Sequence, residues 1–309
     1  MCGIIGYIGD KNSVPILLNG LKKLEYQGYD SSGLCISSNE KLISVKRKGK
    51  ISELENTSQI NFLYGNIGIA HTRWATHGEP NEINAHPHLD CMGQIAIVHN
   101  GIIENYYPLK KILREEGHKI ISETDSEIIA HLIEKFYSDN LEEAVIKALK
   151  LIEGTFGLVV MSRKENKLIA ARKGSPLIIG VGNKEMFIAS DIPAVLEYTN
   201  KIIYLQDNEV ATLSNTGYSI QNINGDSINA EVHEIKWSIE QLEKGNFKHF
   251  MLKEIFEQPE TIENFLRGRL NETELKNLAD YTIEVPNTLD ELSPIVNVIP
   301  RFLLTSSLT

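Results

Sequence analysis

Four stretches of this sequence carry side chains that could act together in catalysis, and the first begins at the second residue. Cys2 follows Met1 and precedes the apolar, strand-like run Ile4 to Ile8. If Met1 is removed, Cys2 carries both a thiol and a free α-amine. An α-amine titrates at about 7.7–8.0, so it can accept the thiol proton at neutral pH. Cys2 is therefore a candidate nucleophile, and the alternative is a small residue that stands there by chance.

The second stretch, AHTRWATHGEPNEINAHPH, covers Ala70 to His88 and is dense in polar and aromatic side chains. The planar guanidinium of Arg73 suits bidentate binding of a carboxylate. Thr76 and His77 follow at a spacing that lets a loop curl around the same anion, and Trp74 could cover the pocket. The alternative is a solvent-exposed loop in which the arginine is incidental.

The sequence gives little support for a metal centre. Two histidines by themselves make a poor metal site, so we interpret His86 and His88 as structural and predict no metal site. The three cysteines are far apart and form no CxxC pair, which argues against a disulfide framework and against zinc. Cys35 and Cys91 are both interpreted as small apolar residues in or beside strands.

The third and fourth stretches supply hydrogen-bond donors and a carboxylate. Asn100 and Gly101 follow an apolar strand, where a side-chain amide and a backbone N–H could form an oxyanion hole, although Asn-Gly is also a common turn. Asp125 stands at the start of a predicted helix, where it could hold a substrate ammonium group or simply favour the helix dipole. Together, the four stretches predict a pocket for an amino acid whose side-chain carbonyl is attacked by Cys2, and glutamine is the obvious candidate.

The composition of the chain limits the classes of protein to which it can belong. The chain has 309 residues with 31 basic and 41 acidic side chains, a net charge of −10, and no basic stripe, so nucleic acid is not expected as a partner. No apolar run approaches the roughly 18 residues of a membrane span, and no secretory signal opens the sequence. We expect a soluble, cytoplasmic protein that needs no cofactor and no membrane.

Periodicity and turn residues predict an α+β fold. Ser13 to Glu25 reads as a helix capped by Ser13, and Thr124 with Glu127 has the spacing of a capping box at the start of a second helix. Leu141 to Ile152 is a third predicted helix. From Gly154 onward, short strands separated by turn residues suggest an antiparallel meander. These elements predict one layered domain over residues 1–240.

Several longer stretches of the sequence match those of a known protein family. The chain resembles the glutaminase part of the glutamine–fructose-6-phosphate aminotransferase family, which belongs to the class II glutamine amidotransferases, from Met1 to about Arg269. The matching stretches, in the family's order, include MCGIIGYIG, LKKLEYQGYDSSG, HTRWATHGEPNEINAHPH, IVHNGIIENY, SETDSEIIAHLI, ARKGSPLIIGVG and FKHFMLKEIFEQP. Other class II members share MCGI but not HTRWATHG. The resemblance implies the four-layer α/β/β/α sandwich of N-terminal nucleophile hydrolases.

The same resemblance assigns roles to individual residues. It implies that Met1 is removed, that the Cys2 thiol attacks the glutamine amide, and that Asn100 and Gly101 stabilise the oxyanion. The residues implied to bind substrate are Arg73, Thr76 and His77 for the α-carboxylate, Asp125 for the α-ammonium group, and Trp74 for closing the site.

Two positions depart from the family. Gln27 stands where the family usually has arginine, and losing that charge is expected to raise the thiol pKa or loosen the glutamine loop. Residues 241–309 are predicted to be a linker and the truncated start of a sugar-isomerase domain. Fructose 6-phosphate is therefore expected as a partner only if isomerase domains are supplied elsewhere, and a homodimer is possible. The alternative is a non-catalytic glutamine-binding or interaction module left after loss of the isomerase domains.

Overall fold

The structure is a computed structural model, and it describes residues 2–75, 78–235, and 255, 256 and 258. The chain divides into two units, Met1–Ile239 and Glu240–Thr309. Within the second unit the described residues 255, 256 and 258 are helical. The predicted linker and start of an isomerase domain otherwise lie outside the described residues, so that assignment stays a prediction.

The described part of the chain contains five α-helices and fourteen β-strands. The helices are α1 (Ser13–Lys23), α2 (Ile51–Glu55), α3 (Tyr106–Glu115), α4 (Glu127–Phe136) and α5 (Leu141–Leu149). The first seven strands are β1 (Gly3–Ile8), β2 (Ser31–Ser38), β3 (Lys41–Lys48), β4 (Ile67–Arg73), β5 (His88–Leu89), β6 (Ile95–Ile103) and β7 (Gly154–Ser162). The last seven are β8 (Leu168–Lys173), β9 (Ile178–Val181), β10 (Met186–Ala189), β11 (Lys201–Tyr204), β12 (Glu209–Ser214), β13 (Gly217–Asn222) and β14 (His233–Glu234).

These strands form two antiparallel sheets. The larger sheet has the order β14-β11-β9-β10-β1-β4-β2-β3, and the smaller has the order β13-β12-β8-β7-β6-β5. The strands after Gly154 do not form a single meander, as the turn pattern suggested, because β9, β10 and β11 join the larger sheet while β7, β8, β12 and β13 join the smaller one. Local turn residues mark where strands end, but they carry no information about which sheet takes each strand.

Alternating side chains on β1 explain why the sheets stack. Ile5 and Tyr7 are buried in one core cluster together with Leu17 and Leu21 of α1. Side chains of successive strand residues point to opposite faces, so Ile4 belongs to a different cluster, which joins the two sheets. A third cluster buries helices α3, α4 and α5 against the smaller sheet. The layers are therefore helix, sheet, sheet and helix, as predicted.

Two predicted helix caps are wrong, although α1 begins at Ser13 as predicted. Asn12 rather than Ser13 caps α1, because its Oδ1 accepts from the Val14 N–H at 3.4 Å and also from the Gly65 N–H at 3.3 Å. The predicted capping box at Thr124 does not form, since α4 begins at Glu127. The Glu127 carboxylate instead accepts backbone N–H groups of the preceding segment 121–122.

Two further details differ from expectation. Helix α3 was not predicted, although it is strongly amphipathic and buries Leu113. Cys91 is exposed in a turn between β5 and β6, whereas Cys35 is fully buried in β2 as expected. Among the described residues, no helix combines the length and the apolar character needed to cross a membrane.

We expect Gly154→Ala to lower the free energy of unfolding by about 2–4 kcal/mol, the sum of backbone strain and overpacking. Gly154 opens β7 with φ +118°, and an added Cβ would lie 2.1 Å from the Ile102 carbonyl oxygen. Gly117 is the matched control, because it has φ +96° but open space around a Cβ. Gly117→Ala should therefore cost only the strain, about 1 kcal/mol. Urea unfolding of both variants measures the difference, and equal losses would contradict the close approach.

Candidate active site

A small, partly open pocket is lined by residues of both sheets. Five parts of the chain supply its walls: the residue before β1, the end of β4, the segment before β5, the middle of β6 and the segment leading into α4. The lining residues are Cys2, Arg73, Trp74, His86, His99, Asn100, Gly101, Thr124, Asp125 and Ser126. Six of the eight residues proposed from the sequence are thus brought together.

Cys2 is held by the backbone of Trp74. Its Sγ accepts the Trp74 N–H at 3.2 Å and lies 3.6 Å from the Trp74 carbonyl oxygen, to which the thiol can donate. Burial raises the pKa of the Cys2 thiol above its ordinary value, and the Trp74 hydrogen bond only partly offsets this effect. The thiol is therefore protonated at neutral pH, and an attack by Cys2 needs a base to remove its proton.

Asn100 joins the nucleophile to a buried histidine. The Asn100 Nδ2 donates to the Cys2 carbonyl oxygen, and its Oδ1 lies 3.0 Å from His71 Nε2. This assignment requires His71 to carry its proton on Nε2. A side-chain amide has two N–H groups, so one can hold Cys2 while the other serves an oxyanion.

Gly101 occupies a position that only glycine fits. Its φ is +135°, and an added Cβ would lie 2.1 Å from the Thr155 carbonyl oxygen. Asn100 and Gly101 lie within β6, paired with Gly157 and Phe156 of β7, so the alternative of a strand-ending turn is wrong. Strand β6 continues past Gly101 despite the unusual backbone conformation of this glycine, because the backbone of β6 stays paired with β7.

The expected carboxylate-binding stretch is only partly described. Arg73 ends β4, is 5% exposed, and donates to the carbonyl oxygens of Gly78 at 3.2 Å and Glu79 at 3.4 Å. These bonds hold the backbone at Gly78 and Glu79 against the guanidinium. Trp74 is 50% exposed at the rim and contacts Tyr29 edge to face. Thr76 and His77 lie outside the described residues, so their roles stay predictions.

Asp125 lies across the pocket from Arg73 in the segment before α4. It is buried, its Oδ2 accepts the Ile103 N–H at 2.8 Å, and its Oδ1 accepts from Ser126 Oγ at 3.4 Å. These bonds fix the carboxylate without neutralising it. The pocket therefore presents one fixed cation and one fixed anion, which suits a zwitterionic amino acid.

Several buried histidines around the pocket were missed from the sequence. His86 Nδ1 lies 3.1 Å from His71 Nε2, and His99 Nδ1 lies 2.8 Å from Ser126 Oγ. Burial lowers the pKa of His71 to about 3 and that of His86 well below its ordinary value. His71 and His99 stand in strands within two residues of a proposed site residue, a pattern that could have drawn attention to them.

Gln27 has neutral partners in the structure. It is buried, its Oε1 accepts from Ser190 Oγ at 2.7 Å, and its Nε2 donates to Tyr26 Oη at 3.1 Å. Ser190 Oγ in turn accepts the Ile4 N–H of β1 at 3.0 Å. Gln27 therefore supports the strand that carries Cys2 through hydrogen bonds rather than through a charge.

Solved structures share this fold. Glutamine phosphoribosylpyrophosphate amidotransferase from B. subtilis matches with a TM-score of 0.63 and 25% identity, over 74% of this chain and 50% of that one. A glutamine aminotransferase class-II domain protein from Silicibacter pomeroyi matches with a TM-score of 0.51 over 72% of this chain and 99% of that one. The latter is 14% identical, so it supports the fold alone. The predicted sandwich of N-terminal nucleophile hydrolases is confirmed.

A protein-family model described as a glutamine amidotransferase domain matches residues 71–197. Residues 71–197 therefore match a glutamine amidotransferase domain. The chain is similar in particular to glutamine–fructose-6-phosphate aminotransferase (isomerizing) of Caldanaerobacter subterraneus, with 51% identity over 87% of this chain and 45% of that protein. The enzyme of the same name from Aquifex aeolicus is 51% identical over 88% of this chain and 46% of its own length. The chain spans about half the length of these curated relatives.

The buried histidines predict how stability depends on pH. The pKa of His71 is about 3 in the folded protein, below its ordinary 6.5. The unfolded chain therefore binds the proton more readily, so this stability is present above pH 6.5 and is lost as the pH falls towards 3. Between pH 7 and pH 5, His71 should account for about 2 kcal/mol of lost unfolding free energy.

Urea unfolding of wild type, His71→Gln and His233→Gln at both pH values measures this contribution. Glutamine at position 71 can still donate to Asn100 but does not titrate, so His71→Gln should lose about 2 kcal/mol less than wild type on acidification. His233 is exposed, and its variant should behave like wild type. An equal loss in all three proteins would show that His71 does not titrate with this shift.

Proposed function

We propose that this chain hydrolyses L-glutamine to glutamate and ammonia through a thioester on Cys2. The observation that carries the proposal is one pocket that brings together the Cys2 thiol, the Asn100 amide and the opposite charges of Arg73 and Asp125. The amidotransferase domain and the names of the relatives support glutamine as the nitrogen donor.

Proton transfer in this reaction depends on removal of Met1. The freed α-amine of Cys2 accepts the thiol proton as sulfur attacks the side-chain carbonyl carbon of glutamine. The same proton then passes to the departing nitrogen, the C–N bond breaks, and ammonia leaves a thioester between Cys2 and the substrate carbon. Water hydrolyses the thioester, with the amine as base, and returns the thiol.

Stabilisation and orientation come from separate groups. Asn100 and Gly101 provide the donors for the tetrahedral oxyanion, in a position fixed by β6. Arg73 holds the α-carboxylate and Asp125 the α-ammonium group, each through charge-assisted hydrogen bonds. Thr76 and His77 are proposed to complete the carboxylate contact, and Trp74 to close the rim.

The acceptor of the ammonia is a further step of the proposal. The relatives are named as fructose-6-phosphate aminotransferases, and this chain spans about half their length. We infer that this chain performs the glutaminase half-reaction. Fructose 6-phosphate would bind only to isomerase domains that are supplied elsewhere. A homodimer remains part of this proposal.

Removing the nucleophile should separate catalysis from mere binding. Cys2→Ala is expected to abolish ammonia release while retaining the far-ultraviolet circular dichroism of wild type, since no other thiol lines the pocket. Cys35→Ala is the matched control, and it should keep wild-type activity because Cys35 lies in β2, outside the pocket.

The assay measures glutamate, ammonia and glucosamine 6-phosphate, with and without fructose 6-phosphate, together with the intact mass of the active enzyme. Glutamate and ammonia alone, from protein that has lost Met1, are expected. Saturable glutamine binding without turnover in wild type would favour the alternative of a non-catalytic glutamine-binding module. Full activity with Met1 retained would refute the α-amine as base.

Substitutions at the clamp and at the oxyanion hole should give different kinetics. Arg73→Lys and Asp125→Asn are each expected to lower kcat/KM for glutamine more than tenfold, because a buried charge-assisted contact contributes about 1.5–3 kcal/mol. Asn100→Ala should instead lower kcat by about 10²–10³. Steady-state kinetics on folded variants distinguish the two patterns, and three unchanged variants would place the substrate elsewhere.

A further inference from the structure

A second group of chemically active side chains lies apart from the pocket. Cys91, His118, His131 and Glu134 each direct one ligand-type atom to a common point, and these four atoms all lie within 4.8 Å of one another. None of the four lines the glutamine pocket. They come from the turn between β5 and β6, the segment after α3, and two successive turns of α4.

The distances between these atoms match the edges of a small tetrahedron. Cys91 Sγ lies 3.4 Å from His131 Nδ1 and 3.7 Å from His118 Nδ1. Glu134 Oε2 lies 3.3 Å from His131 Nδ1 and 2.8 Å from His118 Nδ1. With zinc–sulfur bonds of about 2.3 Å and zinc–nitrogen bonds of about 2.0–2.1 Å, a tetrahedral site has sulfur–nitrogen edges of about 3.5 Å.

The surroundings of two of these side chains are those of metal ligands. His131 is 1% exposed, and while its Nδ1 faces the cluster, its Nε2 lies 3.6 Å from Glu127 Oε1. A carboxylate behind the second ring nitrogen fixes the tautomer and orientation of a ligating histidine. The Lys119 N–H donates to Cys91 Sγ at 3.4 Å and so fixes the position of the sulfur.

We propose that Cys91, His118, His131 and Glu134 form a zinc site. One thiolate, one carboxylate and two neutral imidazoles balance the charge of Zn²⁺ and give the sulfur, nitrogen and oxygen donors that zinc prefers. Binding breaks the Cys91 S–H bond, forms a zinc–sulfur bond and releases the proton to solvent. All four coordination positions are filled by protein, so the site is structural rather than catalytic.

The function of the bound zinc follows from the segments that it joins. Helix α4 begins two residues after Asp125, and His131 and Glu134 lie about one and two turns beyond its first residue. The metal links three parts of the chain, namely helix α4, the β5–β6 turn and the segment at residue 118. It therefore stabilises the element that positions Asp125 without touching the glutamine pocket.

The patterns of spacing explain why the sequence did not reveal this site. His131 and Glu134 are three residues apart on one helix face, but Cys91 and His118 are distant from them and from each other. We predicted no metal because only His86 and His88 stand close together in the sequence, and neither belongs to this cluster.

Cobalt substitution tests the proposal independently of glutaminase activity. Untagged protein is stripped with a chelator and titrated with Co²⁺, and metal content after Zn²⁺ loading is measured by mass spectrometry. We expect one equivalent of metal, intense visible bands of tetrahedral cobalt, a thiolate-to-cobalt charge-transfer band, and a higher Tm with Zn²⁺.

Variants identify the ligands. Cys91→Ser should lose the charge-transfer band and weaken Zn²⁺ binding more than tenfold, and His118→Ala should weaken binding similarly while keeping a thiol. Cys2→Ala is the matched control, and it should keep the band because Cys2 lies in the other site. The absence of stoichiometric binding, or a band lost with Cys2→Ala but kept with Cys91→Ser, would overturn the assignment.

Discussion

The side-chain amide of Asn100 is the contact on which the pocket depends. It lies on β6 of the smaller sheet, yet it holds the carbonyl of Cys2, which leads into β1 of the larger sheet. Its other end meets His71 on β4. This bond forms only if the sheets stay in register face to face, and the apolar cluster that includes Ile4 and Val98 maintains that register. The packing of the sandwich is therefore what brings the nucleophile to its oxyanion donor.

Burial controls the charges around this contact. The neighbouring histidines are kept neutral because their environment penalises the charged form. A protonated His71 could still donate to Asn100, but it would place a buried positive charge beside Arg73. Because these histidines are neutral, Arg73 and Asp125 provide the opposite charges in the pocket. These charges complement the α-carboxylate and α-ammonium groups of an amino acid. The Cys2 thiol is likewise kept protonated by burial, which explains why the proposed reaction needs the α-amine.

Helix α4 connects the two sites. Asp125 and Ser126 precede its first turn and line the pocket, and His131 and Glu134 lie one and two turns further on. From Glu127 to Glu134 the helix rises by about 10 Å, so a metal at the far site is too distant to touch glutamine. A zinc ion there would act on catalysis only by holding the helix. The separation also explains why the two proposals can be tested independently.

Part of this site could be predicted from the types of residue within short sequence motifs. Cys2, Arg73, Asn100, Gly101 and Asp125 stand in short motifs whose residue types suit one reaction, and the structure gathers all five in one pocket. Alternation and helical periodicity likewise predict the layered α+β architecture, because strand and helix faces must bury their apolar sides. The caps predicted at Ser13 and Thr124 were wrong, since the actual hydrogen-bond partners come from contacts that spacing does not encode.

The tertiary structure alone decided which distant residues meet. His71 and Asn100 are 29 positions apart, and only the stacking of β4 on β6 makes one the partner of the other. From the sequence, Cys91 is interpreted as a small apolar residue, but in the folded chain it lies beside His118 and His131. A hydrogen bond or a metal site depends on distances of a few ångströms between atoms, whereas residue types and spacing specify only the element on which each atom lies. The sequence by itself therefore predicted the class of fold and the residues of the proposed reaction, and three-dimensional packing determined which further residues contact them.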